Sequence, residues 1–196
     1  MPVTILLLCF VLTAAATDVA WHKVYNWTTY SGIVAAFAIS AGGTALAAAG
    51  WSDEGSLRHD LGWIPLTESL LGFAACGLLM LVCFVMFRIG GGDVKLLAML
   101  GAFMGPEQGI TAMLWTFVLG GCLGLIVLIW RVGPLRLGLA VGRRLIWLLR
   151  IGRMEPLADD ERAQLQPPLF LAPCALAAVV IVRFDLLNVL GYWMSG

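Results

Sequence analysis

Apolar residues in this chain come in unbroken stretches close to the length that crosses a bilayer, and short charged segments separate them. They run together rather than alternating with polar residues as a half-buried strand does. Hydrophobic residues make up 61% of the chain and charged residues 12%, about half the charge of a soluble domain. The expected fold class is therefore an all-α polytopic membrane protein, a single membrane-embedded domain over residues 1–196.

Six spans are expected, at residues 2–17, 28–50, 66–87, 94–105, 107–130 and 168–190. Ala14-Ala15-Ala16 resembles a leader-cleavage site, but no Lys or Arg precedes the first apolar run, so that run reads as a retained span. The second span is rich in Ala and Gly, which suits close helix packing. The fourth span is short: about 12 residues rise roughly 18 Å, against a hydrocarbon core of about 30 Å. It must tilt against protein, begin in a thinned or water-filled cavity, or cross only in part. Residues 51–65 read as a polar loop.

Seven arginines, Arg131, Arg136, Arg143, Arg144, Arg150, Arg153 and Arg162, follow the fifth span. Residues 135–151 mix apolar and basic clusters at near-helical spacing, as expected of an amphipathic helix against anionic lipid, either interfacial or re-entrant. Basic residues also set the orientation. With the N-terminus outside, Lys23, Arg88, Lys95 and the seven arginines lie on the cytoplasmic side, leaving only Arg58 and Arg183 of the twelve elsewhere.

That topology brings Asp18, at the end of the first span, and Asp93, at the start of the fourth, to one membrane face. Ionisable groups at such depth are costly, and a functional role is the default expectation. Singly, each also reads as an ordinary helix-end residue, Asp93 as an N-cap. Together they form a candidate carboxylate pair. Gly90, Gly91 and Gly92 precede Asp93 and offer unusual backbone angles and little bulk, so that an extended peptide can approach. Asp93 begins one helix and Asp18 ends another, and the helix dipoles are expected to leave the charge on Asp93 and the proton on Asp18. Lys95 either tunes Asp93, holds substrate or anchors the cytoplasmic side. Asn26 either caps the second span or hydrogen-bonds the active-site turn.

Gly90-Gly91-Gly92-Asp93-Val94-Lys95-Leu96-Leu97 resembles the G-x-G-D-x-K-L-L signature of the type IV prepilin peptidases, the GxGD aspartic membrane proteases. Asp18 stands where the family's first catalytic aspartate falls, and residues 167–178, PPLFLAPCALAA, resemble the start of its last span. The resemblance implies catalysis by Asp18 and Asp93, with Gly90, Gly91, Gly92, Lys95 and Asn26 in support. It implies an endopeptidase that removes the leader of type IV prepilins or pseudopilins at the cytoplasmic face of the inner membrane. Val24-Tyr25-Asn26 replaces the family's Ile-Pro-Asn. No counterpart of the cysteine-rich domain of the longer members is present, so the chain resembles the short, tight-adherence (Flp) type, without methyltransferase activity.

No cofactor is expected. The five cysteines form no C-x-x-C pair, and His22 and His59 fall on opposite faces, which gives a metal site no support. Expected partners are the prepilin or pseudopilin, membrane lipid and the pilus or secretion machinery, and no nucleic acid. The alternatives are a preflagellin-type peptidase, a small proton- or cation-coupled transporter using the same two aspartates, and a non-catalytic assembly subunit.

Overall fold

The computed structural model describes residues 2–21, 25–51, 54–87, 90–133 and 171–186. Its helices are α1 (Pro2–Trp21), α2 (Asn26–Ala48), α3 (Glu54–Ser56), α4 (Leu66–Phe87), α5 (Gly91–Val132) and α6 (Leu171–Arg183), with a π-helical turn at Leu57–Leu61. Among the described residues there is no strand. Four helical segments are long and apolar enough to cross a membrane: Pro2–Trp21, Asn26–Ala48, Leu66–Met86 and Gly91–Trp130. The chain is thus an all-helical, polytopic membrane protein. α6 is apolar and shorter. The expected amphipathic helix at 135–151, His22, Lys23 and both ends of the expected sixth span lie outside the described residues.

Two compact units are distinguished, one of Met1–Val118 with Phe170–Gly196, the other of Leu119–Leu169. In the second, the described residues continue α5 to Val132 and expose Leu123, Leu125, Ile126 and Trp130. α1, α2, α4, α6 and the first arm of α5 belong to the first unit.

α1 buries Thr4, Leu7, Val11, Ala14, Ala15 and Asp18, a stripe at helical spacing. That stripe packs against the small-residue face of α6, where Ala172, Ala175, Ala178 and Val179 are fully enclosed. The helix was expected to end by residue 17 but continues to Trp21. It can do so because Asp18 falls on the inward stripe, where its carboxylate meets a donor.

α5 is interrupted at Gly105, whose φ of 78° and ψ of 179° belong to a region open almost only to glycine. Pro106 follows, and a proline cannot continue the preceding hydrogen-bond ladder. The interruption is a reversal: a β-carbon on Gly109 would stand 2.9 Å from the Gly101 Cα, whereas residues eight apart in a straight helix are about 12 Å apart. The expected boundary between spans at 105–107 is met, as a helical hairpin within one element. Gly72 of α4 closes against the same place, and a side chain on either Gly72 or Gly101 would overlap the other's carbonyl oxygen. Ser69 Oγ donates to the Ala102 carbonyl at 2.7 Å beside this crossing.

The first arm of the hairpin resolves the puzzle of the short span. Leu96 to Leu100 and Ala102 to Met104 are all 5% exposed or less. An arm apolar on every side sits inside the bundle, wrapped by α1, α2 and α4 side chains rather than by lipid.

Within the stretch expected to be a polar loop, residues 54–61 are helical. Leu57 and Trp63 are buried, and Trp63 Nε1 donates to the Ser40 carbonyl of α2 at 3.2 Å. At this end Arg183 gathers three partners: Thr4 Oγ1 at 3.0 Å, Gln108 Oε1 at 2.8 Å and the Gly62 carbonyl at 3.2 Å. Arg58 pairs with Glu68 nearby, at 2.9 Å. The two arginines set apart by the charge pattern therefore share one end of the bundle, and Asp18, Asp93 and Lys95 share the other.

Candidate active site

Asp18 lies in the last turn of α1 and is 8% exposed. Its Oδ2 accepts a hydrogen bond from the backbone N–H of Ala172, the second residue of α6, at 3.3 Å. The first N–H groups of a helix have no partner within it, so a carboxylate is their natural acceptor. Cys174, also buried, lies within electrostatic reach of Asp18.

Asp93 is the third residue of α5, half-buried. It is not the N-cap: Gly90 holds that place, and its carbonyl accepts from the N–H groups of Asp93 at 3.1 Å and Val94 at 3.5 Å. Gly91 and Gly92 lie in regular helix, so the backbone freedom that glycine offers is not used at those two positions. What Gly90 supplies is space: a β-carbon on it would come within 3.2 Å of Asp93 Oδ2. Gly91 faces open space and Gly92 is half-buried in the first turn.

The carboxylates of Asp18 and Asp93 are brought within electrostatic reach of one another. As expected, Asp93 stands at the N-terminal end of its helix and Asp18 in the last turn of α1; Asp18 in addition accepts from a backbone N–H at the start of α6. Both therefore look onto a positive helix end, and the dipole argument that separated them from sequence loses its force.

Lys95 and Asn26 are joined directly, with Lys95 Nζ donating to Asn26 Oδ1 at 2.8 Å. Asn26 is the first residue of α2 rather than its cap, which is Tyr25 with no side-chain cap bond, and its Oδ1 is bonded to Lys95 within α5 rather than to a turn. Lys95 Nζ also lies 4.8 Å from the centre of the Tyr30 ring. Two groups escaped the sequence reading. The Ala172 N–H carries no side-chain signal at all. Tyr30 could have been found, since it stands four residues after Asn26 on the same helix face.

The sequence model of the type IV leader peptidase family matches residues 5–125, a stretch that contains both aspartates and the glycines. The chain belongs to this family. As a member it is a peptidase of the leader-peptidase kind, carried in a membrane bundle. α6, which supplies the N–H to Asp18, lies beyond the matched stretch. No curated protein and no solved structure matches the chain.

Proposed function

We propose that this member of the type IV leader peptidase family is an aspartic endopeptidase, with Asp18 and Asp93 as its catalytic carboxylates. Its substrates are type IV, Flp-like prepilins or pseudopilins, from which it removes a short leader. The observation that carries the reading is the approach of two acidic side chains from distant parts of the chain at one end of the bundle.

Two carboxylates at close quarters cannot both ionise cheaply, and they hold one proton between them. The ionised member takes a proton from a water molecule, and that water attacks the scissile carbonyl carbon. The protonated member donates to the carbonyl oxygen and stabilises the tetrahedral intermediate. Collapse of the intermediate breaks the C–N bond, and the leaving nitrogen takes up a proton from the pair. The Ala172 N–H holds Asp18 in place for this exchange, and bare Gly90 leaves room for a peptide beside Asp93.

The proposed topology has six membrane segments, counting the two arms of α5 separately and α6 as part of the last. The N-terminus is outside and the carboxylates are at the cytoplasmic face of the inner membrane. The concentration of basic residues supports this orientation. Trp21, Tyr25 and Trp27, exposed at 61%, 48% and 84%, ring the aspartate end, as aromatic residues do at a membrane–water boundary. A cut at that depth suits a leader that precedes a substrate's own hydrophobic helix. The pilus or secretion machinery is the proposed destination of the product.

The test is co-expression of a candidate prepilin with wild-type, Asp18→Ala and Asp93→Ala forms, followed by gel shift. Wild type shortens the prepilin and neither variant does. Shortening that persists in either variant overturns the two-aspartate assignment.

A further inference from the structure

Resting on the peptidase reading, we propose that Tyr30 is a positioning residue: with Asn26 it clamps the Lys95 ammonium and so fixes the glycine-led start of α5 that carries Asp93.

The need for such a clamp follows from the sequence of that helix start. Gly90, Gly91 and Gly92 form the cap and first turn, and glycine is among the poorest helix formers because its backbone loses the most freedom. Asp93 sits inside this weak turn. Beyond it, Leu96 to Leu100 are locked in the core. Lys95 is the first long side chain after the glycines, and it lies between the loose turn and the rigid arm.

The partners match the demands of the cation. A positive charge close to a helix N-terminus is disfavoured by the dipole, so an ammonium there gains from compensating partners on another helix. Asn26 Oδ1 provides an acceptor at 2.8 Å and the Tyr30 ring a π face at 4.8 Å. Asn26 and Tyr30 stand four residues apart at the start of α2, on one face of that helix. The clamp therefore joins the N-terminal ends of two different helices. Residues two apart on a helix point in different directions, so Lys95 is turned away from Asp93. The clamp acts by holding the helix start rather than by pairing with the carboxylate.

The experiment compares Tyr30→Phe, which keeps the π face, with Tyr30→Leu, which removes it. Two readouts are taken on the full chain in membranes. The first is acetylation of Lys95, scored by mass spectrometry against Lys23, the other lysine of the chain. The second is prepilin cleavage, resolved into kcat and KM. In Tyr30→Leu, Lys95 acetylates several times faster and kcat falls about tenfold with KM little changed, as expected for misplacement of a reacting group. Tyr30→Phe retains both properties.

The clamp is overturned by unchanged Lys95 reactivity in Tyr30→Leu. Positioning is overturned by faster acetylation with undiminished kcat, or by a Tyr30→Phe chain as slow as Tyr30→Leu. A wild-type chain that cleaves no prepilin overturns the peptidase reading, and positioning with it, while the acetylation arm still decides the clamp.

Discussion

The Asp18 carboxylate, in the last turn of α1, accepts a hydrogen bond from the Ala172 N–H at the start of α6. The far ends of the same two helices are tied as well, where Arg183 donates to Thr4 Oγ1 at 3.0 Å. Antiparallel α1 and α6 are thus pinned at both ends, and a packed stripe of Leu7, Val11, Ala14, Ala175, Ala178 and Val179 lies between the pins. The register of this pair decides where the Asp18 side chain stands relative to Asp93.

Fold and chemistry at Asp18 separate by choice of substitution. Asp18→Asn keeps an oxygen for the Ala172 N–H but cannot exchange a proton as a carboxylate does. It is expected to fold with nearly wild-type stability. Asp18→Ala leaves a buried N–H without its partner and costs about 1–3 kcal/mol. Thermal unfolding in detergent checks the difference: equal melting points for the two variants would contradict the structural part of the account.

Gly90→Ala tests the space beside Asp93. A β-carbon 3.2 Å from Oδ2 makes the carboxylate give by a few tenths of an ångström, and pushing its side chain off a rotamer minimum costs up to about 0.5–1.5 kcal/mol. Cleavage is expected to slow up to about tenfold, the rate equivalent of that energy. Gly91→Ala, whose β-carbon enters open space, is expected to slow cleavage less. Initial rates of leader release from the two variants check the order.

The hairpin in α5 depends on its glycines. Gly105→Ala places a side chain at φ 78°, ψ 179°, and such backbone strain costs about 1–3 kcal/mol. Gly101→Ala meets Gly72 backbone directly and is expected to cost at least as much, because backbone cannot move aside as a flexible side chain can. Melting temperature in detergent and protease sensitivity measure both.

Arg183→Met removes three hydrogen bonds at once and strands Thr4, which is 4% exposed. A loss of about 2–3 kcal/mol is expected at roughly 1 kcal/mol per bond. Arg183→Lys recovers only part of it, since an ammonium lacks the planar fork that reaches three partners. The same melting measurement decides, and a Lys variant as stable as wild type would contradict it.

Segmental hydrophobicity made the helical membrane fold readable from the residues, and the boundary expected between 105 and 107 coincides with Gly105-Pro106, both of which oppose a continuous helix for local reasons. The approach of Asp18 and Asp93 followed from topology, since both fell at span ends on one side. The facing of a uniformly apolar helix is another matter: nothing in the residues of α1 announced that the Leu7, Val11, Ala14 stripe, and with it Asp18, turns inward until α6 packs there. The Ala172 N–H was equally hidden, because a backbone donor has no sequence signature. The helical stretch within 51–65 was missed because its charges masked the anchors Leu57 and Trp63.

Leader release by purified, folded protein in which Asp18 or Asp93 alone is replaced by Asn bears most directly on the central claim. Each substitution preserves shape and removes one carboxylate. Either change is expected to abolish cleavage while wild type cuts the same prepilin. Measurable cleavage by either single variant would contradict the shared use of the two side chains.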